Sequence, residues 1–186
     1  MNYEIIRNFI NGDKDEFRHI YEIYKDKIYR TALLILNNNT QAEDVVQEVF
    51  IKIINNIHTL KNPEAFEAWI YKITVNSCRS YFKKFYSIVE FLDFTSNLNF
   101  EKIDDSHDPE EYVSTVENSN IILSEINNLS PKLKVPIILF YYNDLSIKEI
   151  SRILDISEGT AKSRLHNGKK YLKKALEKKE VAINEI

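Results

Sequence analysis

The chain has 186 residues, 44% of them hydrophobic and 12% aromatic, enough to bury one core or two small ones. One cysteine, Cys78, excludes an internal disulfide, and His19, His58, His107 and His166 stand at no metal-ligand spacing, so no metal and no cofactor are expected. A formal net charge of −3 argues against a nucleic-acid binder, and no glycine-rich phosphate loop, nucleophile elbow or acid–base pair marks an enzyme.

Three glycines and four prolines predict an all-α chain with few tight turns. The opening MNYEIIRNFINGDKDEF carries acids and lacks a long apolar run, so it does not read as a signal peptide. No segment is apolar enough to span a bilayer, and a cytoplasmic protein without membrane insertion is expected.

A first helix is predicted from Asn2 to Asn11, ended by Gly12, and a longer apolar-periodic one from Phe17 through Ile20, Ile23, Tyr24, Ile28 and Leu33 to Leu36. After an Asn37-Asn38-Asn39 loop, Thr40 with Glu43 reads as a capping box opening a helix to about Ile57. Its stretch AEDVVQEVFIKII (residues 42–54) buries Ala42, Val45, Val46, Val49 and Ile53 and presents Asp44, Gln47, Glu48 and Lys52, by itself an ordinary solvated face. Asn62-Pro63 is a cap followed by proline at the first helical position, opening a helix to about Phe85. That helix starts apolar (Trp69, Ile70, Ile73, Val75) and then crowds Asn76, Arg79, Tyr81, Lys83, Lys84 and Tyr86 together. Two readings stand: Tyr81, Phe82 and Phe85 belong to a core beneath surface lysines, or rings and cations together hold a single nucleic-acid strand.

Residues 87–118 carry nine acids against one base, Lys102, a net −8 that leaves the rest of the chain at +5. This irregular stretch, with Asp108-Pro109 inside it, reads as a flexible acidic linker with at most short transient helix. It is either a solvated tether or a strap that enters a positively charged channel on a partner. It divides the chain into a first domain of residues 1–86 and a second of residues 119–186.

In the second domain Ser130-Pro131 repeats the cap-plus-proline signal, and residues 146–170, SIKEISRILDISEGTAKSRLHNGKK, hold two amphipathic patterns around a tight turn. Ser146 and Glu149 form a capping box, Ile147, Ile150, Ile153 and Leu154 the buried stripe of the first helix, and Ser157 a cap for the second. Ala161, Leu165, Leu172 and Leu176 give the second helix its core face. At ~100° per residue, Ser163, His166, Asn167 and Lys170 fall opposite, flanked by Lys162 and Lys174. Arg164, nearer the buried flank, is placed to reach a phosphate, and Gly168 at the edge of the apolar stripe suggests close approach to a packed neighbour. From Gly159 to Lys179 eight bases face one acid, Glu177, so the local distribution of charge favours nucleic acid where the total opposes it. The pattern is that of a helix-turn-helix laying its second helix in the DNA major groove; the plainer reading is a helical hairpin with a solvated lysine face.

DVVQEVF in one helix, WIYKITVNSCRSYFKK in the next and LSIKEISRILDISEGTAKSRLHNGKKYLKKAL at the end, in that order, resemble the bacterial RNA polymerase sigma factors, and the short two-domain plan is similar to their extracytoplasmic-function (ECF) class. The resemblance implies an alternative sigma factor of two small helical domains, which binds core RNA polymerase and directs promoter-specific initiation without catalysis of its own. By it, Asp44, Gln47, Glu48 and Phe50 match the motif that docks on the coiled coil of the polymerase's largest subunit. Trp69, Asn76, Arg79, Tyr81, Lys83 and Lys84 match the segment that opens and holds the minus-10 element. Thr160, Lys162, Ser163, Arg164, His166, Asn167, Lys170 and Lys174 belong to the domain that reads the minus-35 element as duplex. The linker would be the family's strap along the RNA exit path. Thr74 and Ser80 stand where many members have alanine and an acid, which implies an unusual minus-10 preference. A dedicated anti-sigma factor, in this family often membrane-anchored, is a further implied partner. Two other classes compete with this reading: a duplex-binding transcriptional regulator that uses the first domain to dimerise, and a helical interaction module with a basic surface.

Overall fold

The computed structural model describes residues 3–89 and 113–177, with side chains placed for residues 3–82 and 120–177. The expected acidic linker therefore lies mostly outside the described residues, as does His107. Among the described residues every regular element is helical, and the chain divides into two units between Phe100 and Glu101.

In the first unit α1 (Tyr3–Ile10) ends before Gly12, whose φ of +101° only glycine adopts without strain. α2 (Glu16–Leu36) stops at Asn37, which takes the left-handed conformation at φ 53° and returns its N–H to the Leu33 carbonyl at 2.7 Å. α3 runs from Asn39 to Asn56, and its cap is Asn38, whose side chain accepts from Gln41 N–H at 2.9 Å. The expected capping box at Thr40 and Glu43 is thus not the start of this helix. Asn38, two residues earlier, is already extended and reaches the free N–H first. Single 3-10 turns at Ile57–Thr59 and Pro63–Ala65 lead into α4 (Phe66–Val89). Asn62 caps the second turn by accepting from Glu64 N–H at 3.0 Å, as its Asn-Pro signal foretells.

The core of this unit is a seam of one face from each long helix: Ile20, Tyr24, Ile28, Ala32 and Ile35 from α2, Ala42, Val45, Val49 and Ile53 from α3, Phe66, Ile70 and Val75 from α4. Ile6 and Phe9 of α1 are also buried. The phenol of Tyr24 is held neutral to well above the usual tyrosine range by burial, with its ring edge-on to Phe66 at 5.5 Å.

In the second unit α5 begins at Val113 and ends at Asn127, so it starts inside the stretch read as linker, and α4 likewise runs past the expected Phe85. α6 (Pro131–Ile137) contains Pro136, which has no N–H to return to the preceding turn. The chain then continues as a π-helical turn, Ile138–Tyr142, closed by Asn143 N–H to the Ile138 carbonyl at 3.1 Å. α7 (Ile147–Leu154) ends at Asp155 with φ 55°, and α8 (Glu158–Glu177) follows. Leu129, Ile137 and Leu172 form a buried cluster with Ile126, Leu133 and Leu165 packed on it. Gly168 is buried there, and a Cβ at that position would lie 2.9 Å from Ile137 Cγ1, which explains the glycine in an otherwise regular helix. No helix among the described residues is long and apolar enough to cross a membrane.

Candidate functional site

On α3 the buried stripe turns the opposite face outward. Asp44 and Gln47 are exposed there, as expected from the periodicity. They are joined by two residues that the motif alone passes over, Ile51 and Ile54, 59% and 50% exposed. Positions 44, 47, 51 and 54 repeat at helical spacing, so two polar and two apolar side chains make one continuous surface. The signal is present in the sequence: Ile51 and Ile54 fall outside the periodicity that buries Val45, Val49 and Ile53. Two of the four expected docking residues are placed otherwise. Phe50 is only 5% exposed, its ring edge-on to Phe17 at 6.0 Å and 4.6 Å from Tyr21, so it anchors α3 to α2 and offers no surface of its own. Glu48 is half-buried and engaged inside the unit: it is paired with Lys52 and accepts from the Ser77 hydroxyl at 3.0 Å.

α4 separates the residues expected to hold an unpaired strand. Asn76 is exposed and accepts from Arg79 Nη1 at 3.2 Å, so these two share the outer face. Trp69 is half-buried beside Phe66, with ring centroids 6.0 Å apart. Tyr81 lies on a different face of α4 by helical spacing and is half-buried. Burial first, and the Asp44 carboxylate second, push its phenol above the ordinary range. The side chains of Lys83 and Lys84 lie outside the described residues. Thr74 is fully buried, with its hydroxyl donating to the Ile70 carbonyl at 3.0 Å, so it cannot meet DNA. Ser80 is exposed and donates to the Ser77 carbonyl at 2.6 Å. Cys78 is fully buried, its thiol pushed up to about 12 mainly by that burial, which makes it unreactive at neutral pH.

The two helices of the helix-turn-helix are each fixed by a cap legible in the sequence. Ser146 Oγ accepts from Glu149 N–H at 3.3 Å, while Glu149 Oε2 accepts from Ser146 N–H at 2.9 Å. Ser157 Oγ accepts from Thr160 N–H at 3.1 Å, and its hydroxyl also lies 2.8 Å from that of Thr160. Thr160 is therefore half-buried in the cap, with its hydroxyl shared. Beyond it, Lys162, Ser163, His166, Asn167, Lys170 and Lys174 are all exposed on α8, and Arg164 is half-buried at the flank. Tyr171, 42% exposed, stands one turn beyond Asn167; sequence alone does not single it out, because an aromatic ring counts toward the helix's apolar face. The surface these residues form carries cations at its edges and neutral hydrogen-bonding groups at its centre, the division that duplex recognition needs: cations for phosphates, neutral groups for base edges.

Two family models match separate segments of the chain. Sigma-70 region 2 matches residues 20–85, and Sigma-70, region 4 matches residues 119–172. The ECF RNA polymerase sigma factor SigW of Bacillus subtilis is 36% identical over 176 residues, covering 92% of this chain and 94% of that protein. SigX of the same organism is 26% identical over 165 residues, covering 88% and 85%. Among solved structures, the sigma factor RpoE of Bartonella quintana, crystallised with the anti-sigma factor NepR, shares the fold with a TM-score of 0.69 at 19% identity, over 87% of this chain and 97% of that one. The chain belongs to the ECF RNA polymerase sigma factors, the alternative sigma factors that direct transcription initiation.

Proposed function

We propose that the two units divide the work of initiation. Residues 1–86 dock on core RNA polymerase and hold the melted minus-10 strand, and residues 119–186 read the minus-35 element as duplex. The observation that carries this reading is the doubly capped helix-turn-helix whose α8 buries Ala161, Leu172 and Leu176 while exposing Ser163, His166, Asn167 and Lys170. The docking surface is Asp44 and Gln47 with Ile51 and Ile54; the acid and amide give orientation against a basic helical partner, and the two isoleucines give apolar area. Asn76 and Arg79 face the unpaired strand, with Trp69 beside them in sequence as a stacking group. Arg164, Lys162, Lys170 and Lys174 hold phosphates, and Ser163, His166 and Asn167 reach base edges.

The chain performs no catalysis itself; the polymerase it recruits does. A resident anti-sigma factor is its other partner, as NepR is for the Bartonella relative. Its work lies in the cytoplasm, with the polymerase and the DNA it serves. The test is transcription by sigma-free core polymerase on fragmented host DNA, with and without the protein, followed by mapping of transcript 5′ ends. Discrete starts that need the protein and share two upstream motifs are expected. No initiation above core alone, beside an active control sigma factor, would move the reading to a duplex-binding regulator. Recovery of the protein from unstressed cells with no third partner would remove the resident inhibitor.

A further inference from the structure

Tyr171 of α8 is exposed, yet it has no part in the phosphate and base contacts of its neighbours. A ring kept for packing would be covered, as Leu172 and Leu176 on the same helix are; Tyr171 is instead 42% exposed. Its hydroxyl makes no hydrogen bond to another described residue. At ~100° per residue it lies about 20° from Arg164 around the helix and about 40° from Asn167. Arg164 stands two turns earlier, ~10.5 Å along the axis, and Lys174 stands ~4.5 Å later. Tyr171 thus fills the gap between two cations along one flank of α8.

A recognition helix enters the major groove by its N-terminal residues, so its later turns rise from the groove floor toward the sugar–phosphate wall. Ser163, His166 and Asn167 lie in the turns after the Ser157 cap, and Tyr171 lies two turns beyond Ser163 and Arg164. A side chain at that height meets a phosphate before it meets a base edge. Tyrosine suits the place: its ring lies along the backbone while its O–H donates to an anionic oxygen, a charge-assisted bond. Unlike lysine it brings no charge, so the contact releases no condensed counterion from the DNA.

We propose that Tyr171 is a neutral phosphate grip on the minus-35 duplex, donating its hydroxyl to the strand that Arg164 holds. The grip rests on α8 being the helix that reads duplex, and it adds a contact whose strength does not fall with salt. Lys170 and Lys174 lose much of their contribution as salt rises, because counterion release weakens. Tyr171 keeps the late turns of α8 seated under the same conditions.

The full-length chain is titrated with two labelled duplexes, each at low and at high salt. One is the upstream segment of a promoter located by transcript 5′-end mapping; the other is the same segment with its minus-35 bases shuffled. Tyr171→Phe removes only the hydroxyl, at an exposed position. It is expected to weaken both duplexes by about tenfold or more, the scale of one hydrogen bond to a charged group, and by the same factor at both salts. Lys170→Ala should instead flatten the slope of log affinity against log salt by about 0.9, so that its penalty shrinks as salt rises. Unchanged binding by Tyr171→Phe would overturn the grip. So would a loss confined to the unshuffled duplex, which makes Tyr171 a reader of bases, or a penalty that shrinks with salt as that of Lys170→Ala does. A silent Tyr171→Phe beside an effective Lys170→Ala removes the grip alone; if both are silent, α8 is not the helix that reads duplex.

Discussion

At the level of single residues, Gly168 shows how one missing atom sets helix packing. A Cβ there would sit 2.9 Å and 3.1 Å from Ile137 Cγ1 and Cδ1, and Ile137 is itself buried and cannot swing into solvent. Alanine is the better helix former by up to ~1 kcal/mol, but overpacking of this kind costs about 1–3 kcal/mol. Gly168→Ala should therefore lower the stability of the second unit, seen as an earlier urea midpoint. Lys134 offers a pH test. It is 5% exposed, its ammonium near Asn127 Oδ1 at 3.4 Å, and burial pushes its pKa down to about 8 from the ordinary 10.5. Below the folded value both states are protonated and the destabilisation is fully present. Between the folded and unfolded values the unfolded chain binds more protons, so stability rises with pH. Lys134→Met should be more stable than the parent at neutral pH by on the order of 1–3 kcal/mol. That gap should narrow from pH 8 to pH 10 in paired denaturation curves; a gap constant across the range would mean the ammonium is not what is being relieved.

Among elements, the start of α3 shows where periodicity stops being informative. Three asparagines stand at the boundary, followed by a Thr40 and Glu43 pair with capping-box spacing, and the pattern alone favours the pair. The chain instead leaves α2 through a left-handed Asn37, which swings Asn38 into the extended conformation a cap requires. Asn38→Ala should cost about 1 kcal/mol. Thr40→Ala, at an exposed position inside the helix, should change stability by less than about 0.5 kcal/mol. Thermal melts of the two variants decide between the caps, and equal losses would return the role to Thr40. The caps at Ser146 and Ser157 were legible because each follows an apolar residue, Leu145 or Ile156, and opens an amphipathic pattern at once. The π-helical turn after Pro136 was not, since the compensation for a missing N–H depends on which carbonyls the packed neighbours leave free.

For the molecule as a whole, two units with separate cores predict separable losses. Asp44→Ala with Gln47→Ala should weaken binding to core polymerase while leaving duplex affinity unchanged. Ser163→Ala or His166→Ala should shift preference among minus-35 sequences by about 1–3 kcal/mol per good base contact, whereas Lys170→Ala and Lys174→Ala should weaken all sequences alike. Duplex and polymerase titrations of these variants read this out, and uniform effects from all of them would mean the face of α8 is misassigned. The fold class, the helix-turn-helix, the exposed polar face of α8 and the reason for Gly168 were determined by the sequence, because spacing, caps and charge along one helix are local properties that survive without knowledge of neighbours. Which expected contacts point outward was decided only by the tertiary structure. Phe50 enters the core, Glu48 is held by Lys52 and Ser77, Thr74 is sealed off, and Tyr81 is half-buried on a face apart from Asn76. Each of these depends on how α2, α3 and α4 rotate against one another, and that rotation is set by packing across the whole unit, which no single helical stretch specifies.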